Sequence, residues 1–189
     1  LECVTTDKTV AVNDITPFAL VNAVLANGMT VKTKTIKNIE STGMMLSTAE
    51  LGLTESATNI WRINDENLIA GADLITALKL DDYILEIEIT PNRPDCLNII
   101  GLSYQIAAVL NTQVSLPEIK INTTADLDVN QKIKISIKDY NACPRYTGRY
   151  IENIEIKPAA ALIQTRLYQC GMRPINNYVD ITNYVMLEY

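Results

Sequence analysis

The stretch ITPNRPDCLNIIG, residues 89–101, constrains the chain more than any other. The residues leading into it, YILEIEI, alternate apolar and acidic side chains: Leu85, Ile87 and Ile89 fall on one side, Glu86 and Glu88 on the other. That is the pattern of a half-buried strand. After Asp95, the apolar residues Leu97, Ile100, Tyr104 and Ala108 recur at helical spacing through YQIAAVL, and Asp95 stands where an N-cap would stand. Between the two elements, Pro91 and Pro94 bracket Asn92 and Arg93. Each proline fixes its own φ and pushes the preceding residue toward extended geometry, so the crossing is short and stiff. The sequence therefore predicts a strand and a helix locked at one angle. Asn92, Arg93 and Asp95 form a scaffold corner, in which Arg93 makes an ion pair or backbone contacts rather than taking part in catalysis.

The 189 residues, 48% of them hydrophobic and 20% charged, suffice for one ordinary domain or two to three small ones. From Leu1 to Leu53 short β-type runs, TVAV, MTVKTKTI and GMML, are punctuated by Asn27-Gly28 and Thr42-Gly43, which suits a small barrel or sandwich. A barrel of that kind needs about five strands, so this segment is expected to start in the middle of a domain. Residues 54–111 read as a compact helical and β unit, with a short helix around AGADLITALKL, the strand, the corner and the helix. Residues 112–131 lose periodicity around Pro117 and NTTADLDVNQ and read as a linker. Beyond it, KIKISIK alternates Ile133, Ile135 and Ile137 against lysines and a serine, and RYTGRYIENIEIK supplies a second strand of the same sheet. Pro158 opens a helix through AAALIQTRLYQC, with Leu162, Leu167 and Cys170 near one face and Gly171 as its cap. The final apolar run fits strand or helix.

Several chemistries are excluded. The chain has no histidine, and Cys3, Cys96, Cys143 and Cys170 are scattered without a CxxC pair, which argues against a structural zinc site, a disulfide framework or a histidine-dependent mechanism within this chain. Cys96 and Cys170 read as small buried thiols. No uninterrupted apolar run reaches the length of a membrane helix and the first residues lack a signal-peptide pattern, so a soluble, cytoplasmic chain is expected. A net charge of -6 does not fit a dedicated nucleic-acid binder. Lys32 and Lys34 nevertheless share one side of a ribbon, with Lys37 just beyond; such lysines are either solvated edge residues or phosphate contacts. Asp81-Asp82 read as a solvated turn. The densest polar cluster, Arg173, Asn176, Asn177, Asp180, Thr182 and Asn183, is interleaved with apolar residues. It could line a small-molecule pocket, or Asp180 and Asn183 could serve backbone groups in a turn.

Three stretches resemble the beta subunit of bacterial phenylalanyl-tRNA synthetase: DDYILEIEITPNRPDCLNIIGLSYQIAAVL (81–110), ACPRYTGRYIENIEIK (142–157) and CGMRPINNYVDITNYVMLEY (170–189). A fourth, GMTVKTKTIKNIESTGMMLSTAELGL, is similar to the last strands of that family's inserted tRNA-binding domain. The resemblance implies an α+β multi-domain fragment: residues 1–53 as the C-terminal part of an oligonucleotide-binding partial β-barrel, 54–111 as the second half of a small helical and β domain, 112–131 as a linker, and 132–189 as the first part of an α+β editing domain. It implies a ligase that joins phenylalanine to its tRNA, with ATP and Mg2+ used by the whole enzyme and neither bound by this fragment. It implies an alpha subunit as partner, two alpha with two beta chains, and tRNA as the other partner, with no DNA and no membrane. Hydrolysis of mischarged tyrosine is the beta chain's own task in that family, because an apolar pocket discriminates weakly against an added hydroxyl. Arg173, Pro174, Asn176, Thr182 and Asn183 fall in part of the editing pocket by this resemblance, and Lys32, Lys34 and Lys37 on the tRNA side. The fragment alone is expected to be inactive. Lys37-Asn38 departs from the family's usual Arg-Gly, and Tyr178 from its usual valine. The alternative is a stand-alone RNA-binding or protein-interaction module related to the editing domain.

Overall fold

The computed structural model describes residues 1–65, 68–121 and 128–189. Strand β1 (Phe18–Leu20) pairs antiparallel with β4 (Gly43–Met45), Phe18 opposite Met45. The intervening β2 (Lys34–Ile36) and β3 (Ile39–Ser41) form a hairpin with Ile36 opposite Ile39. Its turn residues, Lys37 and Asn38, have φ of 51° and 65°, the positive pair demanded by a type I′ turn. The Asn27-Gly28 turn also forms as expected: Asn27 Oδ1 accepts from the Met29 N–H at 2.9 Å, beside a single bridge between Val24 and Thr30. TVAV does not form a strand. The Asp14 carboxylate instead accepts from the Ala11 N–H at 2.8 Å and folds this stretch into turns. Strand β1 pairs with β4 instead, with the Phe18 ring over Gly43, where a Cβ would overlap it. Among the described residues the strands make separate two-stranded sheets rather than a closed barrel. Ala19, Leu25, Val31 and Leu46 form the apolar cluster beside β1 and β4.

Helix α1 (Leu74–Leu78) is short. Asp73 caps it by accepting from the Thr76 N–H at 2.9 Å, and Lys79 ends it with φ of 52°. Helix α2 (Ile99–Leu110) begins later than the sequence suggests. Its N-cap is Asn98, which accepts from the Gly101 N–H at 2.6 Å, whereas Asp95 sits in a preceding 3-10 turn, Pro94–Cys96. The Asp95 carboxylate is held by Arg93 and cannot serve the helix. The buried face also differs: Ala107 is covered, while Tyr104 and Ala108 are exposed. The 3-10 turn sets this rotation, since the first turn of α2 passes so close to the Asp95 carbonyl that only Gly101 fits.

YILEIEI is not a strand. Among the described residues no ladder partner lies beside it, and Tyr83, Leu85 and Ile87 are exposed, at 91%, 76% and 44%. KIKISIK and RYTGRYIENIEIK do run side by side, with the Ile133 and Ile135 side chains against Gly148, Lys132 paired with Glu152 at 3.8 Å and Lys132 over the Tyr150 ring. Among the described residues neither forms ladder hydrogen bonds, so the expected strands are not seen here either. Side-chain contact aligns two segments, but only paired backbone groups make a sheet.

Helix α3 (Ala161–Gln169) ends as the sequence predicts. Gly171, at φ +74°, donates to the Tyr168 carbonyl at 2.9 Å while the Met172 N–H reaches the Leu167 carbonyl at 2.8 Å. That is the Schellman pairing. Leu167 is buried as expected, but Cys170 is exposed, because Gln164 and Thr165 occupy the covered face with it. Cys96 is buried as read. The last apolar run is helix α4 (Asn177–Glu188), packed on α3. A second core cluster joins Trp61, Ile63 and Leu78 to Ala161, and Asn64 Nδ2 donates to the Pro158 carbonyl at 3.2 Å. Residues on either side of the 112–131 stretch thus share one core. No helix among the described residues is long and apolar enough to cross a membrane.

Candidate functional site

That shared core leaves a cleft of about 950 Å³ above it. One wall is the connection from Thr54 to Arg62. The connection has its own anchors: the Asp7 carboxylate accepts from the Ile60 N–H at 2.9 Å, and the Arg62 guanidinium donates to the Thr9 carbonyl at 3.0 Å. Hydrogen bonds from the Thr9 hydroxyl and N–H hold the Asp7 carboxyl below the usual range. Trp61 turns inward, its N–H bonded to the Leu46 carbonyl at 3.0 Å. Its indole Nε1 is a buried donor without a hydrogen-bond partner among the described residues, a condition that ordinarily costs free energy.

The opposite wall comes from α3, the turn after it and the start of α4. Gln164 is buried and donates to the Ala159 carbonyl at 2.6 Å. Tyr168, one turn on, also lines the cleft; burial pushes its phenol up, opposed by the Arg173 charge and assisted by Asp180. Asp180 is 1% exposed, and its Oδ1 accepts from the Ile175 N–H at 2.7 Å. Asp180 therefore does serve a backbone group in a turn, and it lines the cleft as well.

The residues singled out in the sequence are only partly brought together. Arg173 and Pro174 line the cleft. Asn176 instead caps α4, its Oδ1 accepting from the Tyr178 and Val179 N–H groups at 3.0 and 3.1 Å. Thr182 bonds back to the Tyr178 carbonyl at 3.0 Å and is exposed, and Asn183 is half-buried further along the helix. Lys34 lies in β2, Lys37 in the hairpin turn and Lys32 just before, all exposed. At the corner, Arg93 Nε and Nη2 donate to the two Asp95 oxygens at 3.1 and 2.8 Å. This fork holds the Asp95 carboxyl down at about 2, while burial pushes the adjacent Cys96 thiol up. Asn92 stands exposed beside it.

Sequence reasoning missed Trp61, Gln164 and Tyr168. The available signals were slight: Trp61 is the only tryptophan, and Gln164 and Tyr168 stand four apart on one helix face. Among the described residues no group of three or more acidic, cysteine or histidine side chains is placed to hold a metal ion.

Comparison with known proteins places the chain. The B3/4 domain family matches residues 142–189. The phenylalanine-tRNA ligase beta subunit of Fusobacterium nucleatum is 41% identical over 177 residues, covering 94% of this chain and 22% of that protein. The beta subunit of Clostridium acetobutylicum is 39% identical over 189 residues, covering 100% of this chain and 24% of that protein, and that of Bacillus subtilis is 40% identical over 177 residues, covering 90% and 22%. The chain thus spans less than a quarter of the length of these relatives. Along nearly its whole length it is homologous to the bacterial phenylalanine-tRNA ligase beta subunits, with a B3/4 domain match in its C-terminal part.

Proposed function

We propose that this chain serves as part of the beta subunit of an ATP-dependent ligase that attaches phenylalanine to its tRNA. The observation that carries the reading is the extent of the likeness: 39–41% identity to three beta subunits over 90–100% of the chain. In this reading the chain works with an alpha subunit, two of each, in the cytoplasm. ATP and Mg2+ are used by the whole enzyme and held outside these residues. Residues 1–53 belong to a tRNA-binding barrel, with Lys32, Lys34 and Lys37 as its phosphate contacts. Residues 54–111 form part of a small scaffold domain whose corner is Asn92, Arg93 and Asp95, and residues 132–189 begin a domain that hydrolyses mischarged tyrosyl-tRNA.

The editing role rests on Arg173, Pro174, Asn176, Thr182 and Asn183, which lie along one connection and one helix. The cap that Asn176 supplies gives this connection a fixed entry into α4, which is what a pocket wall requires. A hydroxyl or amide from Thr182 or Asn183 would discriminate tyrosine by a satisfied hydrogen bond that phenylalanine cannot make.

The test uses the full-length parent chain, tagged in its source cell and purified. ATP-dependent charging of tRNA with labelled phenylalanine, with a smaller second chain co-purifying, is the expected result. An absence of both charging and partner would overturn the reading and favour a stand-alone RNA-binding or protein-interaction module. With charging in place, Thr182→Val should let tyrosyl-tRNA accumulate while phenylalanine charging stays within about twofold; unchanged tyrosine clearance would remove Thr182 from the pocket.

A further inference from the structure

The turn beyond the Val24–Thr30 bridge holds the only Asn-Gly pair of the chain. Three features of this turn open the Asn27 side-chain amide to attack by its own backbone. Gly28 has φ of 81°, and nothing lies within 4 Å of where a Cβ would stand, so its nitrogen meets no steric barrier. Asn27 Oδ1 accepts from the Met29 N–H at 2.9 Å, which folds the side chain forward over the Gly28 peptide. That N–H polarises the amide carbonyl and already sits at the oxygen on which negative charge would develop during attack. Asn27 and Gly28 are both exposed, so hydroxide and water reach them. Opposing the attack, the Gly28 N–H donates to the Leu25 carbonyl at 2.9 Å and must leave it before its proton is lost. Asn38 offers the contrast. It is exposed and stands in the other hairpin turn, but the β-branched Ile39 follows it and crowds the nitrogen.

We infer that Asn27 is a site of spontaneous deamidation in the folded chain, and that the isoaspartate formed there loosens the hairpin. The Gly28 nitrogen gives its proton to hydroxide and bonds to Asn27 Cγ, the Cγ–Nδ2 bond breaks, and ammonia leaves with a proton taken from water. Water then opens the five-membered succinimide. Addition at Cγ gives aspartate, and addition at the main-chain carbonyl carbon gives isoaspartate, whose backbone runs through Cγ. No oxidant, reductant or enzyme enters. Isoaspartate adds one methylene to the loop that closes the bond from the Leu25 N–H to the Met29 carbonyl. Leu25 and Val31, on either side of this loop, belong to one apolar cluster with Ala19 and Leu46, so a longer loop loosens that cluster. None of the residues assigned to tRNA or to editing takes part.

The experiment incubates the purified full-length parent chain, with any partner that co-purifies, at pH 6 and at pH 8, and digests samples over time for mass spectrometry. Conversion at Asn27 is expected to be faster at pH 8, because hydroxide takes the proton, and at least tenfold faster there than at Asn38. Isoaspartate is read separately, by methyl transfer from S-adenosylmethionine with an isoaspartyl methyltransferase. A parallel sample in urea separates the reactivity of the sequence from that of the fold. Conversion in urea but none in the folded chain would overturn the proposal, as would equal rates at Asn27 and Asn38. Hydrogen exchange then tests the loosening. Peptides containing Leu25 and Val31 should lose protection in the isoaspartyl chain, whereas freshly purified Asn27→Asp, which adds the charge without the methylene, should keep it within twofold. Unchanged protection in the isoaspartyl chain, or an equal loss in Asn27→Asp, would overturn the effect of the lengthened backbone.

Discussion

Arg93 and Asp95 show how much a single pair can settle. The planar guanidinium meets both carboxylate oxygens, at 3.1 and 2.8 Å, a forked geometry that lysine could not reproduce. The pair closes the turn between the two prolines and takes Asp95 away from the helix cap, a role that passes to Asn98. Because the Asp95 carboxyl is held at about 2 in the fold against an ordinary 3.8, its contribution to stability is complete above the ordinary value. It is then lost as pH falls from about 4 through about 2. Asp95→Asn should therefore flatten the pH dependence of the thermal midpoint in that window and leave the slope between pH 5 and 7 unchanged. A wild-type slope below pH 4 in the variant would assign the effect to other carboxyls. Gly101 tests the same corner from the helix side. A Cβ there would overlap the Asp95 carbonyl, so Gly101→Ala should lose about 1–3 kcal/mol by urea unfolding, although helix propensity alone would favour alanine by up to about 1 kcal/mol. A stabilised variant would show that the turn can give way.

At the scale of elements, the helices follow local chemistry and the strands do not. Asp73, Asn98 and Asn176 each accept from an N–H two or three residues ahead, and Gly171 supplies the positive φ that ends α3. These signals are confined within a few residues, which is why most helices were legible in the sequence. Asn176→Ala should cost about 0.5–2 kcal/mol, and Asn176→Ser should recover most of it; hydrogen exchange in the first turn of α4 would show the loss there first. If exchange were unchanged, the cap would be redundant with Asp180, which ties the same end to Ile175. YILEIEI and KIKISIK have the alternation of strands but not the paired edges. Alternation records which side chains could share a face, not whether another segment comes alongside.

At the scale of the molecule, burial is thin. The chain exposes 15129 Å², where a compact monomer of its mass exposes about 9,000 Å². Few residues therefore hold the distant parts together, and Trp61, Ile63, Leu78 and Ala161 do so across the 112–131 stretch. Leu78→Ala opens a cavity in a side chain that is 1% exposed and should cost about 2–5 kcal/mol. Its signature would be hydrogen exchange rising together in α1 and α3, since both close on the same cluster. A rise confined to α1 would mean that α3 is held by its contacts with α4 alone.

The sequence by itself determined the α+β class, the stiff corner at 90–96, the turn at Asn27-Gly28, the stop of α3 at Gly171 and the likeness to the beta subunits. Each of these is written in residues a few positions apart, or in their order. Only the tertiary structure decided which strands pair, which face of α2 is covered, and that Trp61, Tyr168 and Asp180 meet across one cleft. The reason is physical. Caps and turns satisfy backbone groups with near neighbours, whereas the β1–β4 pairing, the shared core and the cleft depend on segments well separated along the chain, whose meeting no local pattern specifies.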